Sequence, residues 1–412
     1  MTDPQRPFSG DLTRRRFLQG SALAGVSAFL AACGTAGQSG GAATSTAAAG
    51  ESAAPAASAG AGGTPAAGGT LRFANWLGYM DVTEDGSSYP TIEKFQDETG
   101  ITVEYGDGAV DDNETFFTAD LQAPLEAGQP TAWDLIVVTD WMVARLIRLG
   151  WVDAIDTSLT PNFVANLAEN YKRRSFDPDT NLAAPWQSGM TGLGYDKAIT
   201  GDQDSIEVLF SDEFKGKLTY LSEMRDTIGL AAIRLGFSPE ELTQEQFDAS
   251  LADVDKAVKD GVVRQVVGNS YVEDMAGGGV VLAIAWSGDV LTLLVPDQTP
   301  EQDFQWALPK EGGMLWTDNM VLPKGSQNKA QAERWIDFYY DPVNAATIEA
   351  YVNYVCPVAG ARDVMLETDA ELANNPLIFP PDEWVARLHQ FRATTAEEEQ
   401  AWSEAFTKAM GL

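Results

Sequence analysis

The chain has 412 residues, 44% of them apolar, with 27 basic against 60 acidic side chains and a formal net charge of −33. That length suits two globular domains of roughly 100–200 residues each, and the charge disfavours nucleic acid and anionic membrane surfaces as partners. One histidine, His389, and two widely separated cysteines, Cys33 and Cys356, exclude His-based triads, Cys–His dyads and His-ligated zinc, so neither a metal nor another cofactor is expected.

Residues Met1–Cys33 read as an export signal rather than structure. Thr13-Arg14-Arg15-Arg16-Phe17-Leu18-Gln19 resembles the twin-arginine (Tat) translocation motif, and the apolar run Ser21–Ala32 is too short for a permanent bilayer span. Leu30-Ala31-Ala32-Cys33 resembles a bacterial lipoprotein box, which makes Cys33 the lipidation site. Lipidation of Cys33 leaves Cys356 without a disulfide partner, and Cys356 itself is expected to be a buried thiol. Residues 34–69 are almost wholly Ala, Gly, Ser, Thr and Pro and predict a flexible tether with a root-mean-square span of about 30–35 Å.

From Thr70 onward apolar runs alternate with amphipathic stretches, the pattern of an α/β protein. Strands are predicted at Leu71–Trp76, Ile101–Tyr105, Asp134–Val138 and Val280–Trp286. Helices are predicted at Thr91–Glu98, stopped by Gly100; after a Thr139 or Asp140 cap, with Met142, Val143, Leu146 and Ile147 on one face; and at Lys329–Tyr340. His389 is expected on the surface of a helical stretch, Ala386–Gln390. The acidic run Asp107, Asp111, Asp112, Glu114 lacks the spacing of a calcium loop and reads as a solvated loop or pocket lip.

Ligands of open α/β sheets bind beyond the carboxyl ends of strands, and the stretches Trp76–Tyr79, Thr139–Trp141, Trp286–Gly288 and Trp316–Asp318 each bring a tryptophan to such a position. Indole faces attract cations, and carboxylates supply directional hydrogen bonds and counter-charge. A further acidic pair, Glu223 and Asp226, would share one end of a helix capped by Ser222 or Glu223, where both could also simply compensate the helix dipole. Arg225 could neutralise one of them. Aromatic walls with acids at the ends suit a long, flexible polycation with apolar methylenes between its charges.

The body Thr70–Leu412 resembles the spermidine/putrescine-binding proteins, the extracytoplasmic receptors of polyamine ABC importers. The resemblance rests on Asn75-Trp76-Leu77-Gly78-Tyr79, on Ala285-Trp286-Ser287-Gly288, on Leu308-Pro309-Lys310-Glu311-Gly312-Gly313-Met314-Leu315-Trp316-Thr317-Asp318-Asn319, and on Asn374-Asn375-Pro376-Leu377-Ile378-Phe379-Pro380. It implies an α/β two-lobed type II periplasmic-binding-protein fold with a hinged interlobe cleft. Lobe 1 would comprise residues 70–187 and 316–360, and lobe 2 residues 188–315 and 361–412. The ligand would touch Trp76, Tyr79, Trp141, Glu223, Asp226, Trp286, Trp316, Asp318 and Tyr354, with Asp318 as the central carboxylate.

The implied function is capture of putrescine or spermidine and delivery to the permease subunits of an importer, without a chemical reaction. The protein would act as a monomer, touch the membrane only through its lipid anchor, and reside in the periplasm or at the outer face of the cytoplasmic membrane. Two positions depart from the family pattern: Gly78 replaces an acid, and Arg392 stands where the family has a glutamine. These departures leave a different cationic or zwitterionic solute as an alternative. A secreted glycosidase working through two carboxylates is a more distant one.

Overall fold

The structure, a computed structural model, describes residues 68–293 and 302–412. The export signal, Cys33 and nearly all of the tether lie outside the described residues.

Strand β1 (Thr70–Trp76) leads into helix α1 (Pro90–Thr99). Proline suits the first turn of α1, where its missing N–H is not needed, and Gly100 ends the helix at φ 70°, the left-handed geometry that glycine adopts without strain. Then come β2 (Thr102–Val110), β3 (Leu135–Thr139) and α2 (Asp140–Arg148). The long strand β4 (Ala183–Asp196) is followed by β5 (Leu218–Leu221), α3 (Met224–Arg234), α4 (Gln244–Lys259), β6 (Val263–Val267) and β7 (Leu282–Trp286). The second long strand, β8 (Gly313–Pro323), precedes α5 (Lys329–Tyr339), α6 (Pro342–Val352) and the C-terminal α7 (Ala396–Met410).

The main strands pair in the order β2-β1-β3-β8-β4-β7-β5-β6. The outer pairs are parallel, whereas β8 runs antiparallel to both β3 and β4, and β4 runs antiparallel to β7. The inner strands β3 and β5 are almost wholly buried, whereas the edge strands β2 and β6 carry exposed or half-buried polar residues such as Glu104 and Arg264.

Two separate cores flank this arrangement. The first gathers Phe73, Phe95, Trp186, Trp335 and Tyr339. A smaller cluster on Ala74, Val138, Met142, Val143 and Leu146 seats α2. The second core gathers Tyr220, Ile228, Phe247, Tyr271, Trp402 and Phe406. The two long strands pass from one core to the other: Met190 packs in the first and Leu193 in the second, Leu315 in the first and Met314 in the second. A third crossing comes near the C-terminus. Ala361, Met365, Ala373 and Leu377 still pack in the first core, and only from Phe391 does the chain join the second. Contrary to the sequence expectation that lobe 2 resumes at residue 361, residues 361–377 pack with the first core, because the helix Ala361–Thr368 lies against α6 with Met365 buried there.

His389 lies in a two-residue strand, Leu388–His389, paired with β8, and not in a helix. Pairing with Gly313 and Met314 outweighs the local helical pattern there. Cys356 is a buried free thiol, as expected.

Helix α7 is tied to the second core by the Trp402 indole, stacked on Phe247 with centroids 4.3 Å apart and donating its N–H to Gln244 at 2.7 Å. Deleting a fully buried aromatic costs about 3–5 kcal/mol. A Trp402→Ala variant is expected to lose stability on that scale in urea unfolding, while α1 and the first core keep their protection in hydrogen exchange.

Candidate functional site

Asp318 lies on β8 where a bulge shifts the register with β4 between Asp318 and Asn319, and it is 3% exposed. The Tyr79 hydroxyl donates to its Oδ2 at 2.9 Å, and the Thr139 hydroxyl to its Oδ1 at 2.7 Å. Thr139 occupies the N-cap of α2, yet its side chain makes no capping bond. Its Oγ1 instead accepts from Asn113 Nδ2 at 2.8 Å and passes its own proton toward Asp318. Neutral hydroxyl donors favour the ionised carboxylate without cancelling its charge.

Rings continue from this carboxylate. Trp76 and Tyr79 centroids are 6.5 Å apart, Tyr79 and Tyr354 5.7 Å, and Tyr354 and Trp316 5.5 Å. Two glycines make the wall possible. Gly189 is the register partner of Trp316, and a β-carbon there would overlap the indole; one on Gly288 would overlap the Tyr354 ring.

Across the cleft, Glu223 is the N-cap of α3 and accepts from the Arg225 backbone N–H at 3.2 Å. Asp226, one turn on, is 5% exposed; it accepts the Thr191 hydroxyl at 2.8 Å and the Trp286 indole N–H at 2.7 Å. Burial, reinforced by the neighbouring Glu223 charge, pushes the Asp226 carboxyl up to about 7. Tyr271 braces Trp286 from behind: its hydroxyl accepts from the Trp286 backbone N–H at 3.0 Å and donates to Asp289 at 3.0 Å.

All nine residues expected at the ligand site line one cavity of about 630 Å³, together with Asp111, Asp112, Asn113, Thr139, Ser222, Arg225 and Asn269 among others. The β4 and β8 strands place the Asp318 side, and α3 with the end of β7 places the Asp226 side. Trp141 differs from the sequence expectation in one respect. Its ring already carries two guanidinium groups, Arg225 at 4.2 Å and Arg145 at 5.1 Å from the centroid.

The two departures from the family pattern resolve locally. The Gly78 N–H donates to Asp107 at 3.0 Å, so a neighbouring carboxylate is used to hold the loop. Arg392 turns away from the cavity: it pairs with Glu398 at 2.7 Å, donates to the Leu242 carbonyl and stacks over Trp402. The acidic run is likewise occupied structurally, with Asp112 capping the short helix Asn113–Phe116 and Glu114 pairing with Arg145.

Sequence reasoning missed the supporting donors. Thr191 could have been found from the register that sets it opposite Trp286, but Asn113 acts through the Thr139 hydroxyl and leaves no sequence signal.

A carboxyl with a folded pKa near 7, against about 3.9 unfolded, binds its proton in the native state first, so this group's contribution to stability falls as pH rises between those values. Asp226→Asn abolishes that dependence. The melting temperature of the variant is expected to gain on wild type between pH 5 and pH 8, read by thermal unfolding in the absence of ligand.

The profile of the bacterial extracellular solute-binding proteins matches residues 91–380. The chain is 28% identical over 324 residues to a spermidine/putrescine-binding periplasmic protein of Escherichia coli, covering 77% of this chain and 84% of that one. It is 27% identical over 354 residues to the putrescine-binding periplasmic protein SpuD of Pseudomonas aeruginosa, covering 82% and 91%. A crystal structure of a spermidine/putrescine ABC transporter substrate-binding protein from Streptococcus pneumoniae superposes with a TM-score of 0.68 at 22% identity, covering 82% of this chain and 98% of that one. Two cores joined by crossing strands, with a cavity between them, are the architecture of such receptors, and the chain belongs to the bacterial extracellular solute-binding proteins.

Proposed function

We propose that the protein captures a polyamine in the cleft between its lobes and presents it to the permease of an ABC importer. The observation that carries this reading is the pairing of carboxylates with aromatic rings in a single cavity: Asp318 with Tyr79, and Asp226 with Trp286. An ammonium gains from both partners, through charge-assisted hydrogen bonds and through the ring face, while the methylene chain between ammonium groups packs on the same rings. Domain closure around the ligand would exclude water, strengthen each ion pair and report occupancy to the transporter. Matched relatives named for spermidine or putrescine support the same ligand class.

Removing one partner of a desolvated ion pair costs about 3–5 kcal/mol, because the other charge stays buried. Asp318→Asn is therefore expected to weaken amine binding by roughly 10²-fold or more. The check is calorimetric titration of putrescine, spermidine and a neutral diol of similar length into wild type and variant. Diol binding comparable to the amines, or undiminished amine affinity in the variant, would overturn the reading.

The sequence of the leader supports Tat export and lipid anchoring at Cys33. With residues 34–69 almost wholly Ala, Gly, Ser, Thr and Pro, Cys33→Ser is expected to move the protein from the membrane to the soluble fraction with its melting temperature unchanged. Retention of the variant in washed membranes would count against the anchor.

A further inference from the structure

Beside Asp318 with Tyr79 and Asp226 with Trp286, the same cavity carries a further carboxylate and ring, Glu223 and Trp141, and one side chain already engages both. Arg225 donates from Nη1 to Glu223 at 3.1 Å and lays its guanidinium 4.2 Å over the Trp141 ring. It is the only lysine or arginine among the described residues lining the cavity. Its position is fixed from outside the cavity by Glu399 of α7, 3.6 Å from Nη2, and Glu399 in turn pairs with Arg145 at 2.9 Å and Arg148 at 2.6 Å of α2. Arg145 also reaches Glu114 at 2.6 Å. Three cations and three carboxylates thus form one set joining α2, α3 and α7. A guanidinium stays charged at any physiological pH, and its planar face suits stacking on an indole.

We propose, resting on the polyamine reading above, that Arg225 is a specificity-determining residue. It occupies the position a third ligand ammonium would take, so that the cleft accepts a linear α,ω-diamine in preference to a triamine. A diamine spans Asp318 and Asp226 and leaves the Arg225 set intact. A triamine must either displace Arg225 from Glu223 and Trp141 or seat an ammonium beside a like charge, and both are unfavourable. The Trp141–Glu223 pair then serves as a plugged subsite.

The test is calorimetric titration of putrescine and spermidine into wild type, Arg225→Gln and Arg225→Ala, with circular dichroism melts of each. Wild type is expected to bind putrescine more tightly. In either folded variant the putrescine-to-spermidine affinity ratio is expected to shift toward spermidine by tenfold or more, about 1.4 kcal/mol, mainly through a gain for spermidine. A ratio unchanged within twofold in a variant that melts like wild type overturns the proposal and leaves the polyamine reading standing. A wild-type protein that prefers spermidine overturns it without any variant. Wild-type protein that binds neither amine overturns the polyamine reading and this inference together.

Discussion

Asp318 is almost shut off from solvent, and a carboxylate so placed is costly to ionise unless donors reach it. Its donors come from separate stretches of chain: Tyr79 from the loop after β1, and Thr139 from the junction of β3 and α2, itself supported by Asn113. Those elements must therefore be in register with β8 for the carboxylate to be buried with its donors in place. The register shift at Asp318 and Asn319 lies at the same place: Asp318 pairs with Gln187 and Asn319 with Pro185, which leaves Trp186 of β4 as the extra residue, packed in the first core. Behind it, Arg174 bonds both Asn319 and Asp140, so the backbone on the far side of the bulge and the start of α2 share one buried cation.

The strongly acidic composition does not translate evenly into the cleft. Glu223 is matched by Arg225, and Glu399 by three arginines, so much of the charge around α3 and α7 is answered within the protein. Asp226 is handled by a different device. Its donors are an indole and a hydroxyl, both neutral, and its burial favours the protonated form. Three acids in the cavity consequently have distinct electrostatic characters: Asp318 is capped by hydroxyls, Asp226 is poised near neutrality and Glu223 is paired with a cation. Charge counting along the chain cannot distinguish Asp318 from Asp226, because their difference lies in which donors arrive from across the fold.

That distinction marks how far the sequence was readable. The strands around Leu71–Trp76 and Leu135–Val138, the helix ending at Gly100 and the amphipathic α5 follow from local apolar periodicity and capping. The nine side chains expected at the ligand site line one cavity; the tryptophans at strand ends and the spacing of Glu223 and Asp226 carry local signals, whereas Tyr354 is expected from the family resemblance alone. Long-range pairings were not legible. Thr139 resembles a helix cap until Asp318 is brought beside it, His389 follows a helical pattern until β8 recruits it into a strand, and Arg392 looks like an intruder in the cleft until Glu398 and Trp402 claim it. The third passage between the cores was placed too early for a related reason: the residues after Gly360 carry apolar side chains that would suit either core, and contact with α6 decides which.

Strand β8 crosses from the second core at Met314 to the first at Leu315, and within the next few residues it presents Trp316 and Asp318 to the cavity. The element that joins the two cores and the element that presents Trp316 and Asp318 are therefore a single length of backbone, hydrogen-bonded along β4 on one side and β3 on the other. Any torque that changes the angle between the lobes acts on the peptide units that aim the Asp318 carboxylate and the Trp316 ring. Conversely, a force applied to those side chains acts at the fulcrum with no intervening lever. A receptor wired this way needs no relay of moving parts between its binding site and its hinge.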